Sequence, residues 1–216
     1  MNASSFSLRV KLMILIGVAF LPLVVMEVNT AADHIARAKE NSKREAERLA
    51  SLFANNQEAL IDSVRQLLSA IAQLEGVRQH DREECQTLFE KILKENPLFS
   101  IVALLDTQGN MVCSAPPAAE PVNLSQRAFF QRAVQNRSFT AGDFMIGRIT
   151  GKPTLHFASP VFDPPGVLTG VACVGIDLRA LSEFGTRVKL PPSGSVAMVG
   201  PDGIILMRYP DPDKWI

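Results

Sequence analysis

Residues 129–178 read FFQRAVQNRSFTAGDFMIGRITGKPTLHFASPVFDPPGVLTGVACVGIDL, apolar segments of strand length alternating with turns. Three segments read as strands: 139–147, 152–162 and 167–177. Between them stand Arg148-Ile149-Thr150-Gly151 and Asp163-Pro164-Pro165-Gly166, each holding the Gly or Pro that reverses a chain. Connections this short join antiparallel neighbours, so the stretch predicts a meander. In its last strand Val171, Cys173, Gly175 and Asp177 share one face, and Ala172, Val174 and Ile176 the other, with Leu178 following in phase. The second set suits a core. The first is made of small residues ending in an acid, which either leaves room for a molecule that is not protein or accommodates a helix packed close by. Asp177 has two readings as well: a group facing that hollow, or the N-cap of a helix starting at Leu178.

Outward from this stretch, the composition sets the frame. The chain has 216 residues, 47% of them hydrophobic, and a formal net charge of +0. That is enough for one or two modest cores, without the basic excess that would argue for a nucleic-acid partner. Of 13 Gly and 14 Pro, only Gly17, Pro22 and Gly76 precede residue 97, so the first half is predicted helical and the second half turn-rich and sheet-forming. Cys85, Cys113 and Cys173 are an odd set without metal-ligand spacing, which allows at most one intramolecular disulfide and encodes no zinc site.

Upstream, residues 12–26 are an apolar run of roughly 15 residues, short of the ~20 of a typical membrane span. Arg9 and Lys11 before it and Glu27 after it can snorkel to the headgroups and lengthen it. A cleaved signal peptide competes, with small residues at Thr30-Ala31-Ala32. The helix that follows favours an uncleaved anchor over 12–28, with 1–11 inside and the bulk of the chain exported. Residues 29–75 are predicted to form one long stalk helix ended by Gly76. Its charged part, 33–48, is expected to stand in solvent or pair with a second copy. The stripe Ala46, Leu49, Phe53, Leu60, Val64, Leu67, Ile71 and Leu74 follows helical spacing with one skipped position at Asn56, and the part after Leu49 is expected to lie on the sheet.

Domain 76–190 then begins with a helix over 81–95 and a hairpin whose strands, 99–105 and 111–114, flank Asp106-Thr107-Gln108-Gly109-Asn110. A loop over 116–121 and a helix over 127–136 lead into the meander. Beyond it come a helical connector over 178–184 and the break Pro191-Pro192-Ser193-Gly194. Residues 191–216 open a second unit, a hairpin of 195–199 and 204–209 about Gly200-Pro201-Asp202-Gly203.

Taken in order, the anchor, the long helix, Leu105-Asp106-Thr107-Gln108-Gly109, Arg127-Ala128-Phe129-Phe130, Gly151-Lys152-Pro153 into Ser159-Pro160-Val161, and Gly175-Ile176-Asp177-Leu178 resemble a Cache-type sensor. More closely they resemble the membrane-distal half of a double Cache domain of bacterial histidine kinases, diguanylate cyclases and chemoreceptors. Arg208-Tyr209-Pro210 and Lys214-Trp215-Ile216 are similar to the start of the membrane-proximal half. The resemblance implies an α+β fold: an N-terminal transmembrane helix, a long stalk helix and a PAS-like antiparallel sheet, with the start of a second module. It also implies a single-pass protein of the bacterial cell membrane, a homodimer through the stalk, and a small ligand in the distal module. The chain reads as the input end of a receptor. Amino-acid-binding members carry an Arg followed by Trp and Tyr, an upstream Tyr and a later Asp. This chain keeps Arg127 and Asp177 but has Phe129, Phe130 and Val122 at the aromatic positions.

The candidate ligand-binding residues are Arg127, Phe129, Phe130, Phe144, Arg148, His156 and Asp177. Arg127 presents parallel donors suited to a carboxylate. One of Phe129 and Phe130 is expected to pack on the ligand and the other in the core. His156 shares a strand face with Thr154 and Ala158. Asp177 suits a ligand amine or a pairing with Arg127. No catalytic residue, metal site or cofactor is expected. Gly147-Arg148-Ile149-Thr150-Gly151-Lys152-Pro153 is one residue short of a phosphate loop and ends in Pro where Ser or Thr should stand. Two functions remain, a sensor of a small polar or anionic molecule and a membrane-anchored scaffold whose pocket face is filled by protein.

Overall fold

The computed structural model describes residues 8–185, 194–200, 203 and 205–209. The expected cytoplasmic segment up to residue 7, the break Pro191-Pro192-Ser193, and Pro210 and Lys214-Trp215-Ile216 lie outside them. The first helix, α1 (Leu8–Ile71), has 64 residues, as its Gly- and Pro-free sequence after residue 30 allows. Residues 12–28 are part of it. Among the described residues no helix is long and apolar enough to cross a membrane.

The chain divides after Asn56 into two units. In the first, charged residues pair along the helix, Arg44 with Glu40 at 3.1 Å and Arg48 with Glu45 at 2.7 Å, all exposed to water. Such pairs add little beyond local helix preference.

In the second unit, α1 stops at Ile71 rather than at Gly76. Gly76 instead lies inside a short helix, α2 (Glu75–Arg78), where a Cβ would meet only the end of the exposed Glu84 side chain. Asp81 caps α3 (Arg82–Glu95) by accepting from the Glu83 and Glu84 amides at 3.0 Å each. Five strands follow: β1 (Phe99–Asp106), β2 (Met111–Ala115), β3 (Thr140–Ile146), β4 (Pro153–Phe162) and β5 (Leu168–Asp177), with α4 (Ala128–Asn136) between β2 and β3. They form one antiparallel sheet in the order β2-β1-β5-β4-β3. The predicted meander is the β3-β4-β5 half, and β1 closes onto β5 to add the first hairpin. A short helix, α5 (Leu178–Gly185), leads to a separate hairpin of β6 (Val196–Val199) and β7 (Ile205–Tyr209).

The sheet has a core on each face. On one, Val64, Leu68 and Ile71 of α1 and Cys85 and Phe89 of α3 pack on Val102, Leu104, Phe157, Ala172, Val174 and Ile176. On the other, Phe129, Phe130 and Ala133 of α4 pack on Ile101, Ala103, Leu105, Ala158, Val171 and Cys173. The small-residue face of β5 is therefore largely covered by a helix. Around Gly175 no space remains: a Cβ would lie 2.6 Å from Thr154 Cγ2 and 2.8 Å from Ile101 Cγ2.

Candidate functional site

The site is framed by the start of α4. Asp106 holds the β1–β2 turn by accepting from the Gln108 and Asn110 amides at 2.8 and 2.9 Å. Burial works against its charge, but these bonds and one from the Asn110 side chain outweigh it and hold the carboxyl below its ordinary pKa. Gly109 takes φ +79°, which the turn requires of a residue without Cβ. Asn123 laces this turn to the next segment, donating to Gln108 O at 3.0 Å and Asn110 Oδ1 at 2.8 Å, and accepting from the Ser125 amide at 3.0 Å. Two residues later the chain enters α4 with Arg127 at the N-cap.

Arg127 is an unusual cap. Its side chain has no acceptor to offer the first-turn amides, and the first turn contains no acid. Arg127 is partly buried, and among the described residues no hydrogen-bond or ion-pair partner reaches its guanidinium. It lines a narrow cavity of about 20 Å³ between α4 and the sheet, room for about one water. Apolar walls come from Ile101, Met111, Leu124, Phe129 and Met145. Polar groups come from Arg127, Arg148, Thr150 and His156, and among the described residues no carboxylate lines it.

His156 is buried on β4, stacked on Phe129 with ring centroids 4.9 Å apart and planes within 9°. Its Nδ1 is buried without a hydrogen-bond partner. Burial, reinforced by the Arg127 charge, pushes its pKa down to about 4, so the ring is neutral at pH 7. The β3–β4 turn forms the outer wall. Arg148 is exposed there and donates to Asn123 O at 3.5 Å, while Gly151 adopts φ +66°. Val122, Arg148 and Ile149 also line a surface hollow of about 460 Å³ bounded by the loop from Pro117. Inner cavity and outer hollow thus share one wall.

Of the sequence candidates, Arg127, Phe129, Arg148 and His156 meet at this cavity. Phe130 is buried in the α4 core. Phe144 does not line the cavity, and its neighbour Met145 does. A bulge between Ala141 and Phe144 shifts the β3 register, so strict alternation from Thr140 picks the wrong residue. Asp177 is not in the lining and does not pair with Arg127. Its Oδ2 meets Lys152 Nζ at 2.8 Å, and its Oδ1 accepts from the Arg179 and Ala180 amides at 2.9 and 3.3 Å, capping α5. Burial opposes its ionisation, yet these partners together hold its pKa low. Met111, Leu124 and Met145 carried no signal beyond being apolar, which is why residue-type reasoning passed over them.

A sequence model of the Cache domain matches residues 31–215. Sporulation kinase D of Bacillus subtilis (strain 168) is 26% identical over 195 residues, covering 90% of this chain and 38% of that kinase. The chain thus spans well under half of that relative's length. The ligand-binding domain of the Pseudomonas fluorescens chemoreceptor CtaA, solved with L-serine, superposes with a TM-score of 0.67 at 20% identity, over 82% of this chain and 76% of that one. The sensor domain of the V. cholerae histidine kinase DctB gives a TM-score of 0.65 at 17% identity, over 80% and 68%. At these identities the likeness is one of fold.

Proposed function

We propose that the chain, which belongs to the Cache domain family and shares its fold with the sensor domain of a histidine kinase and the ligand-binding domain of a chemoreceptor, is the extracytoplasmic input domain of a membrane-bound receptor. It is a sensor domain and not an enzyme. The ligand is a small anion with an apolar body, held between α4 and the sheet. The observation that carries this reading is the partly buried Arg127, without a partner among the described residues, beside the orphaned His156 Nδ1 in a lining where no described carboxylate stands. An anion satisfies the guanidinium, the His156 N–H and the positive end of α4 together. The apolar walls accept the rest of the molecule. A ligand larger than water requires the wall of Val122, Arg148 and Ile149 to move outward into the adjoining hollow. Residues 12–28 are the proposed anchor, in the cell membrane with residues 1–11 inside, and the charged part of α1 is the proposed dimer contact.

The narrowness of the cavity favours one other reading, a scaffold whose pocket is filled by Phe129 and Phe130. Thermal denaturation against short mono- and dicarboxylic acids, amines and neutral sugars separates the two. A carboxylate at one hundred times its Kd should raise Tm by roughly 5–10 °C. That rise should vanish in Arg127→Ala. No rise with any acid, at any concentration the protein tolerates, favours the scaffold.

A further inference from the structure

The three cysteines are sorted by the sheet. Cys173 on β5 faces the α4 core, where burial raises its thiol pKa to about 12 and leaves it inert. Cys85 on α3 and Cys113 on β2 face the opposite core, both buried, with α3 packed against β2. Arg82 and Gln86, which flank Cys85 on α3, line one surface hollow together with Cys113, so the two cysteines stand at the same α3–β2 contact. Cys85 Sγ donates to Gly76 O at 3.6 Å, which fixes its rotamer in the crevice between α2 and α3. Spacing along the chain left any pairing of the three open, whereas the fold leaves one.

We infer that Cys85 and Cys113 are a disulfide-forming pair that covalently ties α3 to the edge strand β2 in the exported protein. The oxidant is a small or protein-borne disulfide of the kind met outside the cytoplasm. One thiol loses its proton and attacks the donor disulfide, forming a mixed disulfide and releasing one donor thiolate. The second protein thiolate attacks the protein sulfur of that mixed disulfide and releases the other. Two protein thiols are oxidised to one S–S bond, one donor disulfide is reduced to two thiols, and two protons pass from protein to donor. Since both sulfurs are buried in the folded chain, exchange takes place during folding or on local opening of α3. The bond closes a loop of roughly 28 residues on β2, the edge strand of the five-stranded sheet. The inference does not depend on the ligand reading.

The test is to fold the full chain, solubilised in detergent, in oxidised glutathione, quench it with acid, alkylate it under denaturing conditions and map the peptides by mass spectrometry. The expected result is a Cys85–Cys113 linked peptide, an alkylated Cys173, and an intact mass lower by two hydrogens before alkylation. Cys173→Ser should give the same link, and Cys85→Ser should lose it. Reduction should lower Tm by roughly 10 °C. Alkylation of both Cys85 and Cys113, separate glutathione adducts on each, or a link to Cys173 would overturn the inference.

Discussion

His156 carries a cost that a titration can read. Its folded pKa of about 4 lies below the ordinary value of 6.5, so between these pH values the unfolded chain holds the extra proton. Stability is therefore complete above about pH 6.5 and falls as pH drops towards 4. Urea denaturation should show a loss of about 2 kcal/mol between pH 7 and pH 5, and His156→Phe, which keeps the stack on Phe129, should flatten that window. Asp106 and Asp177 are depressed carboxyls and lose their contributions only further down, below about pH 4. Gly175→Ala should destabilise by about 1–3 kcal/mol, because its Cβ would press on Thr154 and Ile101 within β-sheet packing that cannot open. Arg127, Phe129, Arg148 and His156 stood out in the sequence because guanidinium, imidazole and a ring at a helix start are chemically marked, and the fold brings these four to one cavity. Phe144 falls outside the cavity lining, beyond a register bulge that leaves no trace in the alternation of apolar residues. Asp177 was ambiguous for a different reason: the same carboxylate serves equally as cap or ligand, and Lys152 decides it only once β4 and β5 are side by side.

Elements were legible where a terminus has its own chemistry. Asp81 announced α3, and Asp81→Ala should cost about 1 kcal/mol in chemical denaturation through loss of its bonds to the Glu83 and Glu84 amides. Gly109, Gly151 and Gly166 stand in turns at positive φ, so the strands on either side were bounded to within a residue or two. Gly76 misled, since α1 already ends at Ile71 and the glycine stands inside the next short helix. At the end of β5 the two roles of Asp177 separate by substitution. Asp177→Asn retains an acceptor for α5 and should cost no more than about 1 kcal/mol, since Lys152 is half exposed. Since Asp177 is not among the cavity-lining residues, this variant should also bind a carboxylate with unchanged Kd by isothermal titration.

For the whole molecule, the local order of strands was readable and the sheet order was not. The β3-β4-β5 meander follows from short turns, whereas the pairing of β1 with β5 joins residues about 70 positions apart and has no local signature. That pairing builds the site, because it brings Ile101 and the β1–β2 turn under α4 and sets Arg127 over β4. It also turns a face that looked open into a second core, leaving only the narrow space beside His156. The central claim is that this space binds a small anion through Arg127. The most direct test is native mass spectrometry of the full chain purified from its producing cells, beside Arg127→Ala. The account predicts a retained small acid, released on gentle activation and absent from the variant, with both proteins melting alike once the acid is removed. A chain with no retained molecule, which also takes up no carboxylate supplied in excess, would contradict it.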